Sequence, residues 1–219
     1  MISIKQQQNL LLEIARRLPK EMAIYAVGGT AMMFLGLKEA TLDIDLVFTN
    51  REDRKIFREI AKSLGYQEMD HTIVYGTRNN CPEMIHLGDA RLDLFLTNVI
   101  DFEFSEEMQK RAQQLHQFDK NLKIKIADVQ DIIVMKCATN RAKDEEDIIN
   151  LIKNTEIKWD ILINEALNQV RLGKETAIMS LGTLLERLKN KQGLNIPKEV
   201  IDKLFSLLKE QVNNKQKSP

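Results

Sequence analysis

The chain has 219 residues, with 32 basic and 32 acidic side chains, so its formal net charge is zero and no global field draws it to nucleic acid. At 29% charged and 43% hydrophobic residues it has the composition of an ordinary soluble globular protein, with no internal repeat or low-complexity tract. That length suits one large domain or two small ones and is enough to bury a core.

Cys81 and Cys137 lie far apart with no pairing pattern, so free thiols in a reducing cytoplasm are expected. The first twenty residues lack an apolar region followed by a cleavage site, so no signal peptide is expected. No apolar run approaches the ~20 residues of a membrane span, so no membrane partner is expected.

In chain order, residues 4 to 18 place Leu10, Leu11, Ile14, Ala15 and Leu18 on one helical face, and Pro19 stops the helix. Ala23 to Val27 reads as a strand. Gly28-Gly29 follows, then a helix from Thr30 to Leu37 whose Phe34 and Leu35 pack on a sheet. Leu42 to Phe48 is a second strand. Residues 51 to 64 form a helix with Ile56, Ile60 and Leu64 inward and a basic outer face, Arg51, Arg54, Lys55, Arg58 and Lys62. A solvated face is the default reading of those charges, with a local nucleic-acid patch as the alternative. Three short strands are expected at Tyr66–Met69, Thr72–Tyr75 and Glu83–Leu87. His71, His86 and Cys81 fall here, without metal-ligand spacing.

Arg91 to Leu96 alternates, with Leu92, Leu94 and Leu96 on one face and Arg91, Asp93 and Phe95 on the other. Ser105 can cap a helix carrying Glu106 and Glu107 in its first turn and Met108, Ala112 and Leu115 inward. Leu122 to Ala127 alternates apolar residues with lysine and reads as an edge strand. From Asp128 the chain reads as helical. A helix carries Ile132, Ile133, Met135 and Cys137, and an acidic one carries Ile148, Leu151 and Ile152. Three more cover about 159–171, 175–191 and 197–212, separated by Gly173 and Gly193 and restarted by Pro197. The expected organisation is an α/β (α+β) core over 1–127, a helical domain over 128–212 and a disordered tail over 213–219.

The chemistry concentrates at Ala23 to Val47. In Asp43-Ile44-Asp45-Leu46 the period of two points both carboxylates one way and Ile44 and Leu46 into a core. At about 4 Å and an effective dielectric near 20, two such charges repel by roughly 4 kcal/mol. A divalent cation reverses that sign, and hard oxygen ligands suit Mg²⁺ (or Mn²⁺). The glycine pair between strand and helix offers backbone N–H groups at the positive end of a helix dipole, which suits phosphate. Asp-x-Asp alone says little: with 14 Asp in the chain, about one such pair arises by chance. A surface turn and two solvated acids remain the plain alternative.

The combination Val27-Gly28-Gly29, 13 intervening residues, Asp43-Ile44-Asp45-Leu46, with Thr41 two before the first acid, resembles the signature of the polymerase-beta-like nucleotidyltransferase superfamily. That resemblance implies a third carboxylate on a later strand. The residue that matches is Asp93, whose alternative is a surface acid paired with Arg91. It also implies a polymerase-beta-like core with a mixed sheet followed by helices. Many relatives carry an arginine where this chain has Lys38-Glu39-Ala40.

A second constellation is Lys136, Ala138, Arg141, Lys143, Asp144 and Asp147. If one helix runs through it, Lys136, Asn140, Lys143 and Asp147 share a face. Two readings stay open: cations for a triphosphate, or a salt-bridged solvated face with Asp144 as a helix cap. The stretch is similar to one that follows the catalytic core in nucleotidyltransferases of the bacterial and archaeal abortive-infection toxin type (AbiEii-like), where the lysine-bearing helix faces the nucleotide.

The resemblance implies a metal-dependent enzyme moving a nucleoside monophosphate from an NTP to an acceptor hydroxyl. Asp43, Asp45 and Asp93 would be catalytic and metal-binding, and Gly28, Gly29, Thr30, Lys136 and Lys143 nucleotide-binding. RNA, protein and small-molecule acceptors are all compatible, as is a partner protein. The alternative is a catalytically silent nucleotide-binding or toxin–antitoxin-type interaction protein with the same fold.

Overall fold

The computed structural model describes residues 1–139 and 141–217, those from 214 onward by their backbone alone. The chain forms two compact units, Met1–Asp128 and Val129–Pro219.

The first unit opens with a two-residue strand β1 (Ile2–Ser3) and helix α1 (Ile4–Ala15), where Ser3 and Gln6 form a reciprocal capping box. Next come β2 (Met22–Ala26), α2 (Gly28–Phe34), β3 (Ala40–Thr41), β4 (Asp43–Phe48) and α3 (Arg51–Ser63). The remaining elements are β5 (Gln67–Met69), α4 (Thr72–Tyr75), β6 (Glu83–Leu87), β7 (Ala90–Leu96), short β8 (Asn98–Val99) and β9 (Phe102–Glu103), α5 (Glu106–Arg111), β10 (Leu115–Phe118) and β11 (Leu122–Ile126). The main sheet runs β10-β11-β2-β4-β7-β6-β5. β11 pairs with β2 and β4 with β7 in parallel, and the other neighbours on this path are antiparallel, so the sheet is mixed as expected.

β4 and β7 lie at its centre. Ile44, Leu46, Leu92 and Leu94 are fully buried, and Phe48 meets Phe57 of α3 edge-on at 5.3 Å between centroids. This sets α3's inward line at Phe57 and Ala61, leaving Ile56, Ile60 and Leu64 half-buried. The expected stripe was displaced because the contact is made by the ring that reaches Phe48. On the outside of α3, Arg54 and Arg58 pair with Glu83 at 2.8 and 3.0 Å, and Lys62 pairs with Glu68 at 2.9 Å. These three cations are engaged by acids of the same unit.

Two strand expectations are corrected. Leu122–Ile126 is an interior strand, because Leu115–Phe118 folds back as β10 and takes the edge. Leu115 is therefore 49% exposed on a strand, and the helix capped by Ser105 ends at Arg111. Phe34 packs its ring on His116 of β10 at 4.7 Å. Thr72–Tyr75 is a helical turn, not a strand. Its β-branched residues favour a strand. However, the Asp70 carboxylate accepts from the Thr72 N–H at 2.8 Å, and Gly76 ends the turn at φ +62°.

The second unit contains α6 (Val129–Cys137), α7 (Ala142–Asn154), α8 (Trp159–Arg171), α9 (Ala177–Gln192) and α10 (Lys198–Lys217). Its core takes Ile132, Ile133, Leu151, Leu162, Leu181, Leu185, Leu188 and Leu204. α10 runs on as helix to Lys217 where a disordered tail was expected from residue 213; Lys and Gln propagate a helix already nucleated by a packed stripe. Residues 218 and 219 lie outside the described residues. Among the described residues, no helix is long and apolar enough to cross a membrane.

Candidate active site

The parallel pairing of β4 with β7 sets Asp45 opposite Asp93 and Asp43 opposite Arg91. Strand alternation then brings Asp43, Asp45 and Asp93 to one face, with one carboxylate oxygen from each within 4.8 Å of the others. Asp93 is fully buried and the other two are half-buried. Among the described residues this is the one cluster of three or more acids, histidines or cysteines close enough to share an ion. Its donors are all carboxylate oxygens, which suits a hard divalent cation over a soft one.

Clustered carboxylates repel one another, and positive partners or protonation relieve the repulsion. Arg91 supplies one. Its guanidinium donates to Asp93 through Nε at 2.9 Å and Nη2 at 3.1 Å, and Nη2 also donates to Asp43. Burial opposes the Arg91 charge, but Asp93 and Asp43 outweigh it and hold the guanidinium's pKa above its usual value. Burial pushes the Asp93 carboxyl up to about 6, although Arg91 and the hydrogen bond from Tyr75 pull the other way. That hydrogen bond comes from α4: the Tyr75 hydroxyl donates to Asp93 Oδ2 at 2.5 Å. Burial and then the charge of Asp45 raise the phenol pKa above its ordinary value.

Sequence reasoning missed Tyr75, because its segment read as a strand. It also weighed Arg91 only as a neutraliser of Asp93, whereas the guanidinium spans two acids.

The glycine pair has a steric reason at each position. A Cβ on Gly28 would stand 2.7 Å from Asp45 Oδ2, and its φ is +55°. A Cβ on Gly29 would stand 2.6 Å from Thr41 Oγ1. The first turn of α2 is thus pressed against the acid-bearing strand. Thr30 is fully buried, and its hydroxyl accepts from the Asp45 N–H at 2.8 Å, tying α2 to β4. Thr41, 1% exposed, donates to Asp43 Oδ1 at 3.4 Å.

Gly28→Ala is expected to cost about 1–2 kcal/mol from the left-handed backbone alone, and to force the Asp45 carboxylate aside. The urea midpoint and metal-dependent nucleotide binding check this; unchanged binding would mean the close approach has no bearing on the site.

Lys136 and Lys143 belong to the second unit. Lys136 is 8% exposed, and its ammonium donates to Asp144 at 2.5 Å and Asp147 at 2.8 Å. Lys143 is exposed on α7. The stretch holds two helices, as the stripes suggest, with α6 ending at Cys137 and α7 starting at Ala142, so the shared face that a run-on helix would give does not form. Asn140 lies outside the described residues.

Residues 1–177 match the model of the family described as Nucleotidyltransferase of unknown function (DUF6036). No curated protein matches the chain. A mixed sheet followed by C-terminal helices is consistent with a nucleotidyltransferase fold.

Proposed function

The chain belongs to this nucleotidyltransferase family, and from that premise we propose that it carries out divalent-metal-dependent transfer of a nucleoside monophosphate from an NTP to an acceptor hydroxyl. The observation that carries this reading is the cluster of Asp43, Asp45 and Asp93 against the Gly28-Gly29 turn. Asp43 and Asp45 would hold Mg²⁺ (or Mn²⁺), with Asp93 sharing a second ion. Bound ions offset charge on the attacking and leaving oxygens of an in-line displacement. Gly28, Gly29 and the backbone at Thr30 would cradle the triphosphate. Asp93 would accept the proton of the acceptor hydroxyl, and Arg91 would orient Asp43 and Asp93.

Lys143 stays proposed as a nucleotide-binding cation. For Lys136 the pairing with Asp144 and Asp147 favours a structural role, in which its ammonium ties α6 to α7. The likeness of this stretch to the abortive-infection toxin type remains part of the same reading.

Arg91 between two of the acids favours one second reading, a silent nucleotide-binding protein whose carboxylates are neutralised from within. Incubating the purified chain with each α-labelled NTP and Mg²⁺, against total RNA, a protein lysate and small hydroxyl compounds, separates the two. Label in an external acceptor is the expected result. Binding without transfer supports the silent reading, and neither binding nor transfer overturns both.

A further inference from the structure

Resting on that reading, we propose that the chain's own Tyr75 hydroxyl is an acceptor, so that the protein nucleotidylylates itself at this residue. An acceptor must present its hydroxyl within hydrogen-bond reach of the group that takes its proton. Tyr75 does so without any substrate, donating to Asp93 Oδ2 at 2.5 Å. Its ring stands edge-on to Phe95 of β7, the strand that carries Asp93, at 6.4 Å, which helps fix the phenol's direction. The short turn α4, between Asp70 and Gly76, delivers it there.

Among the other nearby hydroxyls, Thr30 accepts from the Asp45 backbone and Thr41 faces Asp43. Neither has a hydrogen bond to Asp93 among those described.

In the step, Tyr75 Oη forms a bond to the α-phosphorus of a bound NTP. The bond from that phosphorus to the bridging oxygen of the β-phosphate breaks, and its electron pair leaves with pyrophosphate. The phenolic proton passes to the Asp93 carboxylate. The product is a tyrosyl phosphodiester beside Asp93. It occupies the place an outside acceptor needs, so self-labelling stops at one nucleotide per chain and competes with transfer to an outside acceptor.

The experiment uses the full chain with each α-labelled NTP and Mg²⁺ and no other acceptor. Intact mass, peptide mapping and metal-dependent NTP binding are read on the same samples. The expected result is an added mass of one nucleoside monophosphate, mapped to Tyr75, at a rate per chain that does not change with protein concentration. Tyr75→Phe should carry no label while its circular dichroism matches wild type. Label at Thr41 or another residue overturns the proposal, as does a rate that rises with protein concentration. Intact NTP binding with no self-label overturns it and leaves the transferase reading standing; loss of binding as well overturns both.

Discussion

Asp43→Ala combined with Asp45→Ala is expected to abolish metal-dependent nucleotide binding and to lower transfer by about a thousandfold or more. A bound ion supplies several kcal/mol of charge stabilisation, and each 1.36 kcal/mol is tenfold. The double change should leave the fold intact. Both carboxylates sit at the half-buried face of β4, while the core-facing Ile44 and Leu46 are untouched. It also removes two of three mutually repelling charges, and Arg91 keeps Asp93 as its partner. Titration calorimetry with Mg²⁺ and NTP, label transfer and circular dichroism together decide it. A folded double variant that still binds or transfers would show that the acids were misassigned.

The second large effect is on stability. Lys136→Ala should destabilise the helical unit by about 3–5 kcal/mol, the usual cost of leaving a buried charge without its partner. Asp144 and Asp147 are 2% and 7% exposed, and both lean on this ammonium. Burial works against the Asp144 charge, yet Lys136, Thr139 and Arg141 hold its carboxyl down to about 2. A depressed acid stabilises the fold above its ordinary value, near 3.8, and that contribution fades as pH falls from about 4 through 2. The variant should therefore lose acid sensitivity in that window along with stability.

Trp159, the chain's single tryptophan, lies on α8 of this unit, so its fluorescence in urea reads the loss directly. Replacing Lys136, Asp144 and Asp147 together by apolar residues of similar size should restore most of the stability. A shift below about 1 kcal/mol in the single variant would show that the triad is as weak as a surface pair.

Much of this molecule could be read from local pattern. Asp43-Ile44-Asp45-Leu46 and Arg91-Leu92-Asp93-Leu94 alternate with a period of two, so they had to be strands with acids on one face. The stripes Ile178-Leu181-Leu185-Leu188 and Val200-Ile201-Leu204 had to be helices, and Ser105 had to cap one. Those features depend on neighbours in the chain, and a sequence displays neighbours.

What the sequence could not display was which distant residues meet. Thr72-Ile73-Val74-Tyr75 has strand propensity and is a helical turn, because the Asp70 carboxylate holds the Thr72 N–H and Tyr75 reaches Asp93 across 18 residues. Leu122–Ile126 carries edge-strand chemistry and is interior, because β10 pairs outside it. Lys136 left two readings open, a triphosphate cation or a salt-bridged face, and only the fold shows that its partners are two buried aspartates. The paired acids on β4 and β7, the glycine pair and the helical stripes of the second unit could be read directly, since each rests on periodicity and short-range backbone chemistry. That Arg91 spans Asp43 and Asp93, and that Tyr75 donates to Asp93, emerges only in the folded chain, because strand register and loop path are set by the packing of the whole sheet.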